Sequence, residues 1–164
     1  MIYIGIDNGL TGGLCAISEH SGIIIGYCKM PVANRKKRNE VNIRAVHLWL
    51  SEVTGGNLSN AVYVIEEPNN SRNPSTAYSV ASSFHSLRGF FETKMLNWHR
   101  ITPQSWQKSM LGKFPAGESK KYALAKAREL WRNESFLASS RCKTPHEGIV
   151  DAALIAEYSR KIEL

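Results

Sequence analysis

The chain has 164 residues, room for one domain with a buried core and too little for two substantial lobes. Lys and Arg total 21 against 14 Asp and Glu, a formal charge of +7 and a pI near 9.5, a balance that attracts polyanions. Cys15, Cys28 and Cys142, widely spaced and without a CxxC pair, indicate neither a disulfide framework nor a zinc knuckle, and no apolar run approaches the ~20 residues that span a bilayer. The amino-terminal MIYIGID meets an acid early and lacks a basic leader, so an unsecreted, membrane-free protein of the reducing cytoplasm is expected.

Ile2, Ile4 and Ile6 alternate with Tyr3, Gly5 and Asp7, the period of a strand that ends at Asp7. Turn residues in NGLTGG and EHSG separate two more strands, LCAIS and IIIGYCKM, predicting an antiparallel meander. From Pro31 to Asn42 the composition turns polar, with Arg35, Lys36, Lys37 and Arg38 consecutive, which predicts a mobile loop able to grip a phosphate backbone. Ile43, Val46 and Leu50 fall at helical spacing, AVYVIEE supplies a fourth strand, and Val80, Phe84, Leu87 and Phe91 form one stripe of a helix of about four turns. LNWHRI is a short fifth strand. Thr102-Pro103 opens a helix to about Met110, Ala123, Ala127, Leu130 and Trp131 share the face of another, and Thr144-Pro145 begins the last.

A meander followed by strands alternating with helices is an α/β pattern: a mixed five-stranded sheet with helices on its faces, with strands one, four and five at its centre. Sites in such sheets gather at the carboxyl ends of parallel strands, where Asp7 and the Glu66/Glu67 pair sit. Alternation sends Glu66 and Glu67 to opposite faces, so one of the two at most joins Asp7. Glu147 and Asp151 are four apart and share a face near the start of the last helix, beside His146. Each acid alone has a structural explanation, as a turn or helix-dipole residue. Asp151, however, stands in the apolar run GIVDAALIA, where a free carboxylate is costly. Clustered oxygen donors with no Cys favour Mg²⁺, with Mn²⁺ as a substitute. Two such ions about 4 Å apart activate water and stabilise a leaving oxygen in phosphodiester hydrolysis. A basic chain around an acidic metal centre is the charge pattern of a nuclease.

YIGIDNG, YVIEEP, ITPQSWQKSML, ESKKYALAKARELW and HEGIVDAALIAEY occur in the order and approximate spacing of RuvC-type Holliday-junction resolvases, and resemble the phage and organellar branch of that family. The resemblance runs over nearly the whole chain, residues 1–164 as one nuclease domain. It implies a ribonuclease-H-like fold, a homodimer in the cytoplasm (of the host, if phage-encoded), and Mg²⁺-dependent paired nicking of four-way DNA junctions. Asp7, Glu66 and Asp151 match metal ligands of the family, which leaves Glu67 as an outward neighbour. The bacterial pattern has a further helix acid three residues before the last, where this chain has Gly148; Glu147 then becomes the natural fourth ligand, with His146 as fallback. Lys120, followed by Lys121, matches a lysine near the scissile phosphate, and Arg72, beside Asn69, Asn70 and Asn73, falls where the family meets the junction centre. Phe84, Phe90 and Phe91 are expected in the core or a dimer interface, and Trp98, Trp106 and Trp131 in the core.

Three rivals share parts of this pattern. Two-lobed sugar or nucleotide kinases also end their first strand in Asp-Gly-like turns, but this chain has length for one lobe. A junction-binding module without catalysis would not need the acid set. A related nuclease acting on forks or other branched DNA would keep both fold and ions.

Overall fold

The computed structural model describes residues 1–34, 38–68 and 73–164. Five strands form one sheet in the order β3-β2-β1-β6-β7: β1 (Ile2–Asp7), β2 (Gly13–Ser18), β3 (Ile24–Lys29), β6 (Ala61–Glu66) and β7 (Trp98–Ile101). The first three make the expected antiparallel meander, while β6 runs parallel to β1 and β7 parallel to β6. Strand β1 is therefore central, but β7 is an edge strand, not part of the centre as the sequence suggested. Its four residues leave one side of the ladder open, the usual state of a short edge.

Helices cover both faces. One core joins Ile4, Ile6, Tyr63 and Ile65 of the sheet to α1 (Ile43–Val53) and α2 (Pro74–Thr93) through Val46, Leu50, Phe84, Leu87 and Phe91. The other joins Tyr3, Val62 and Val64 to α3 (Pro103–Leu111), α4 (Ser119–Leu130) and α5 (Glu147–Lys161). Phe84, Leu87 and Phe91 of the α2 stripe are thus buried as expected, whereas Val80 at its start is half-buried, as is Phe90 at its margin, and α2 is longer than the stripe alone required.

Helix α5 lies directly on β1, and glycine makes this possible. A Cβ at Gly5 would stand 2.1 Å from the Ala152 carbonyl oxygen, so any side chain there would push the helix off the sheet. At the start of α5, Gly148 forms an isolated parallel bridge with Gly12 of the β1–β2 turn, and a Cβ on Gly148 would meet the Gly12 Cα at 2.5 Å. Gly148 therefore belongs to a backbone-to-backbone joint, which is why no acid stands at that position.

Four expectations need correction. The segment from Pro31 to Asn42 is not simply a loop: β4 (Val32–Ala33) pairs with β5 (Glu40–Val41), and Met30 and Val41 are buried against the α1–α2 side. The last helix begins at Glu147 with His146 as its N-cap, because the His146 amide is taken by the Phe136 carbonyl (2.8 Å) and its own carbonyl accepts from Ile149 and Val150. Thr144-Pro145 precedes that cap. Trp131 stands just past α4 as its C-cap, half-buried with its indole donating to the Gly22 carbonyl (2.8 Å). Trp98 is also half-buried, which leaves Trp106 as the one of those three tryptophans fully in the core. By contrast Thr102 caps α3 as expected, its hydroxyl accepting from the Ser105 amide.

Candidate active site and metal centre

The parity of the strands decides between the two central glutamates. Tyr3 on β1 and Val62 and Val64 on β6 face α5, so Asp7 and Glu66, at the next positions of the same alternation, face it too. Ile6 pairs with Ile65, which brings Asp7 and Glu66 level across neighbouring parallel strands. Glu67 has left the strand; its carboxylate meets Arg100 at 3.2 Å and its amide donates to the Ile101 carbonyl. It ties β6 to β7 and is not part of the acid group.

Asp151, one turn into α5, completes a set of three mutually coupled, half-buried carboxylates. Burial, then Asp7 and Glu66, push the Asp151 carboxyl up to about 8. Burial raises Glu66 to about 7, with Asp7 adding to the rise and the Trp106 indole opposing it. Burial raises Asp7 to about 6 against the opposing Gly9 amide and Lys120. Three neighbouring acids that each resist ionisation are the kind of set that a cation would stabilise.

Two neighbours that the sequence reading did not assign to the site hold Glu66 in place. Trp106, 1 % exposed, donates its indole N–H to Glu66 Oε1 at 2.6 Å, and the buried Asn8 side chain donates to the Glu66 backbone carbonyl. Trp106 was expected only as core. Its position one turn into a helix opened by Thr102-Pro103 was legible; the reach of its indole across to β6 depends on how α3 packs.

A second group lines the mouth. A cleft of about 360 Å³ is bordered by Asp7, Thr11, Lys120, His146, Glu147 and Asp151, among others. Lys120, at the start of α4, is ion-paired with Glu147, and that bond, more than the nearby acids, holds its ammonium above the usual range. Glu147 is exposed and engaged with this lysine. The His146 ring has its Nδ1 buried without a partner, and burial lowers its tendency to charge, with Lys29 adding to the effect. Lys121 pairs with Glu118 at 3.3 Å. Arg38 lies over the Tyr78 ring at 4.6 Å, on the far side of the sheet with α2. Arg35, Lys36, Lys37 and Arg72 lie outside the described residues.

The donor chemistry suits a hard divalent cation: carboxylate oxygens of Asp7, Glu66 and Asp151, near enough that Asp7 and Glu66 both raise Asp151. Among the described residues no three His, Cys, Asp or Glu side chains are drawn together tightly enough to cage an ion as they stand.

The sheet order and the helices on both faces define an α/β fold of the ribonuclease-H-like kind. Within that class the fold is that of RuvC. A Thermus thermophilus RuvC in complex with a Holliday junction substrate matches with a TM-score of 0.61 at 18% identity, over 96% of this chain and 92% of that one. Thermus thermophilus RuvC in a second structure matches with a TM-score of 0.61 at 17% identity, over 99% of this chain and 97% of that one. No family model matches the chain, and no curated protein matches its sequence.

Proposed function

We propose that this chain is a metal-dependent endonuclease that resolves four-way DNA junctions by symmetric nicking, acting as a homodimer with Mg²⁺, or Mn²⁺ in its place. The observation that carries the reading is the proximity of Asp7, Glu66 and Asp151 at the carboxyl ends of the central parallel strands, in a fold shared with a protein seen on a Holliday junction. The phage and organellar affinity rests on the sequence motifs alone.

In this reading Asp7, Glu66 and Asp151 would hold the ions, with Glu147 as the fourth ligand in place of the residue at Gly148, once Lys120 releases it, and His146 in reserve. When bound, a pair of such ions supplies an activated water and charge stabilisation for the leaving oxygen. Trp106 and Asn8 keep Glu66 aimed at the pocket. Lys120, freed from Glu147, brings its ammonium to the scissile phosphate, where negative charge grows in the transition state. Basic side chains elsewhere, among them Arg38 and Lys121 with Arg35, Lys36, Lys37 and Arg72, hold the arms of the junction.

A mobile four-way junction and a linear duplex of the same sequence, each end-labelled and incubated with Mg²⁺, test the proposal. Paired nicks on opposing strands of the junction with the duplex spared are expected. Equal cutting of both assigns a broader branched-DNA nuclease, and tight junction binding without nicks assigns a silent binding module.

A further inference from the structure

Between α4 and α5 runs a groove of about 600 Å³ that opens at one end on Glu147 and Asp151. This is within the size range of pockets that hold a small organic ligand. Its floor is apolar, made by Leu124, Ala125, Pro145 and Val150, while its rim on α4 carries cations. Lys121, Ala125 and Arg128 follow one another at helical spacing and so stand on one face, with Arg128 about 10 Å along the helix from Lys121. The cations differ in their commitments: Lys120 is bound to Glu147 and Lys121 to Glu118, whereas Arg128, exposed, makes no ion pair or hydrogen bond with a described residue. An unengaged guanidinium on the rim of an apolar slot, about two helical turns along α4 from the acids, complements a ligand with an apolar flat body and an anionic tail.

We propose that this groove takes one nucleotide of the DNA strand being cut, next to the scissile phosphate: its nucleoside lies on Leu124, Ala125 and Val150, and its outer phosphate meets Arg128. The assignment rests on the nuclease reading for the neighbouring site, and it adds a place where base identity can be sensed. A nucleoside leaving its stack loses contact energy, and the apolar floor returns part of it, more for bases that fill the slot than for those that do not. The groove is then a source of sequence preference at the cut, separate from the recognition of branching.

Full-length protein is mixed with four-way junctions carrying 2-aminopurine at each position within two nucleotides of the branch, in Ca²⁺ for binding and in Mg²⁺ for nicking. Ala125→Trp fills the groove from an exposed helix position, Ala125→Ser serves as the volume-conserving control, and Arg128→Ala removes the free cation. With the wild type and the serine variant, fluorescence rises at one position; with Ala125→Trp that rise is lost and the sequence preference of nicking flattens. Arg128→Ala weakens junction binding by about tenfold. If the wild type nicks and Ala125→Trp keeps both the signal and the preference, the groove assignment is overturned while the nuclease reading stands. If nicking is absent but the signal depends on the groove, the groove holds a junction nucleotide while its assignment to a cut strand falls with the nuclease reading; absence of both overturns both.

Discussion

Glu66 is held by the Trp106 indole at 2.6 Å, and the two bonding groups come from residues 40 apart in sequence. Trp106→Phe keeps most of the buried ring and deletes only the N–H. The freed carboxylate gains rotamers and loses a donor that favours its charged form, so it ionises and binds a cation less readily. We expect nicking to fall about tenfold or more, with a higher Mg²⁺ requirement and unchanged junction binding; a Mg²⁺ titration of the rate, run beside binding in Ca²⁺, checks it. Full activity at the wild-type Mg²⁺ level would remove Trp106 from the site. Asp151 makes the complementary case. A carboxyl raised in the native state binds its proton more tightly there than in the unfolded chain, so it favours the fold at low pH, and that contribution is lost as pH rises through the native value. With Asp7, Glu66 and Asp151 raised to about 6, 7 and 8, the metal-free protein loses stability as pH climbs from about 4 to about 8. Asp151→Asn removes the largest of these contributions. Its melting temperature in EDTA at pH 8 should exceed that of the wild type by several degrees while nicking disappears. A melting temperature equal to or below that of the wild type would show that Asp151 carries no such strain.

At the scale of elements, the joint between the β1–β2 turn and α5 sets the distance between Asp7 and the helix acids. Gly12 and Gly148 meet backbone to backbone, and Gly148→Ala places a methyl 2.5 Å from the Gly12 Cα, with no flexible side chain to give way. Helix and turn must part, so we expect a loss of about 1–3 kcal/mol in urea unfolding, with activity falling further than stability. Much of this layer was legible in advance: the alternation of Ile2, Ile4 and Ile6, the Thr102-Pro103 cap and the α2 stripe each report a local rule that the fold keeps. What was not legible depended on contacts distant in sequence. AVYVIEE is apolar on both faces because both are covered, so periodicity alone could not say whether Glu66 or Glu67 shared the side of Asp7. Thr144-Pro145 looks like a helix start, yet the His146 amide is claimed by Phe136, ten residues earlier, and the helix begins after it. The pair β4–β5 is too short to carry a pattern of its own and is held by the burial of Met30 and Val41.

For the molecule as a whole, the surplus of charge and the acid centre act on the same ligand in opposite directions. The chain carries +7 formally, while the pocket gathers carboxylates that would repel a phosphate were they all ionised without a counter-ion. In the proposed reading, long-range attraction would come from the basic surface and a bound cation would remove the local repulsion at the point of contact. Binding carried by phosphate neutralisation releases condensed counter-ions, and each contact contributes a slope of about −0.9 to log affinity against log salt. With at least four cations engaged, junction affinity should fall about a hundredfold between 50 and 200 mM salt in Ca²⁺. Arg128→Ala should lower the slope by about one unit, whereas Trp106→Phe, which touches no phosphate, should leave it unchanged. Fluorescence anisotropy of a labelled junction across that salt range measures both. An affinity nearly independent of salt would mean that the basic surplus is only solvated surface, and that whatever this fold grips it does not grip through the phosphate backbone.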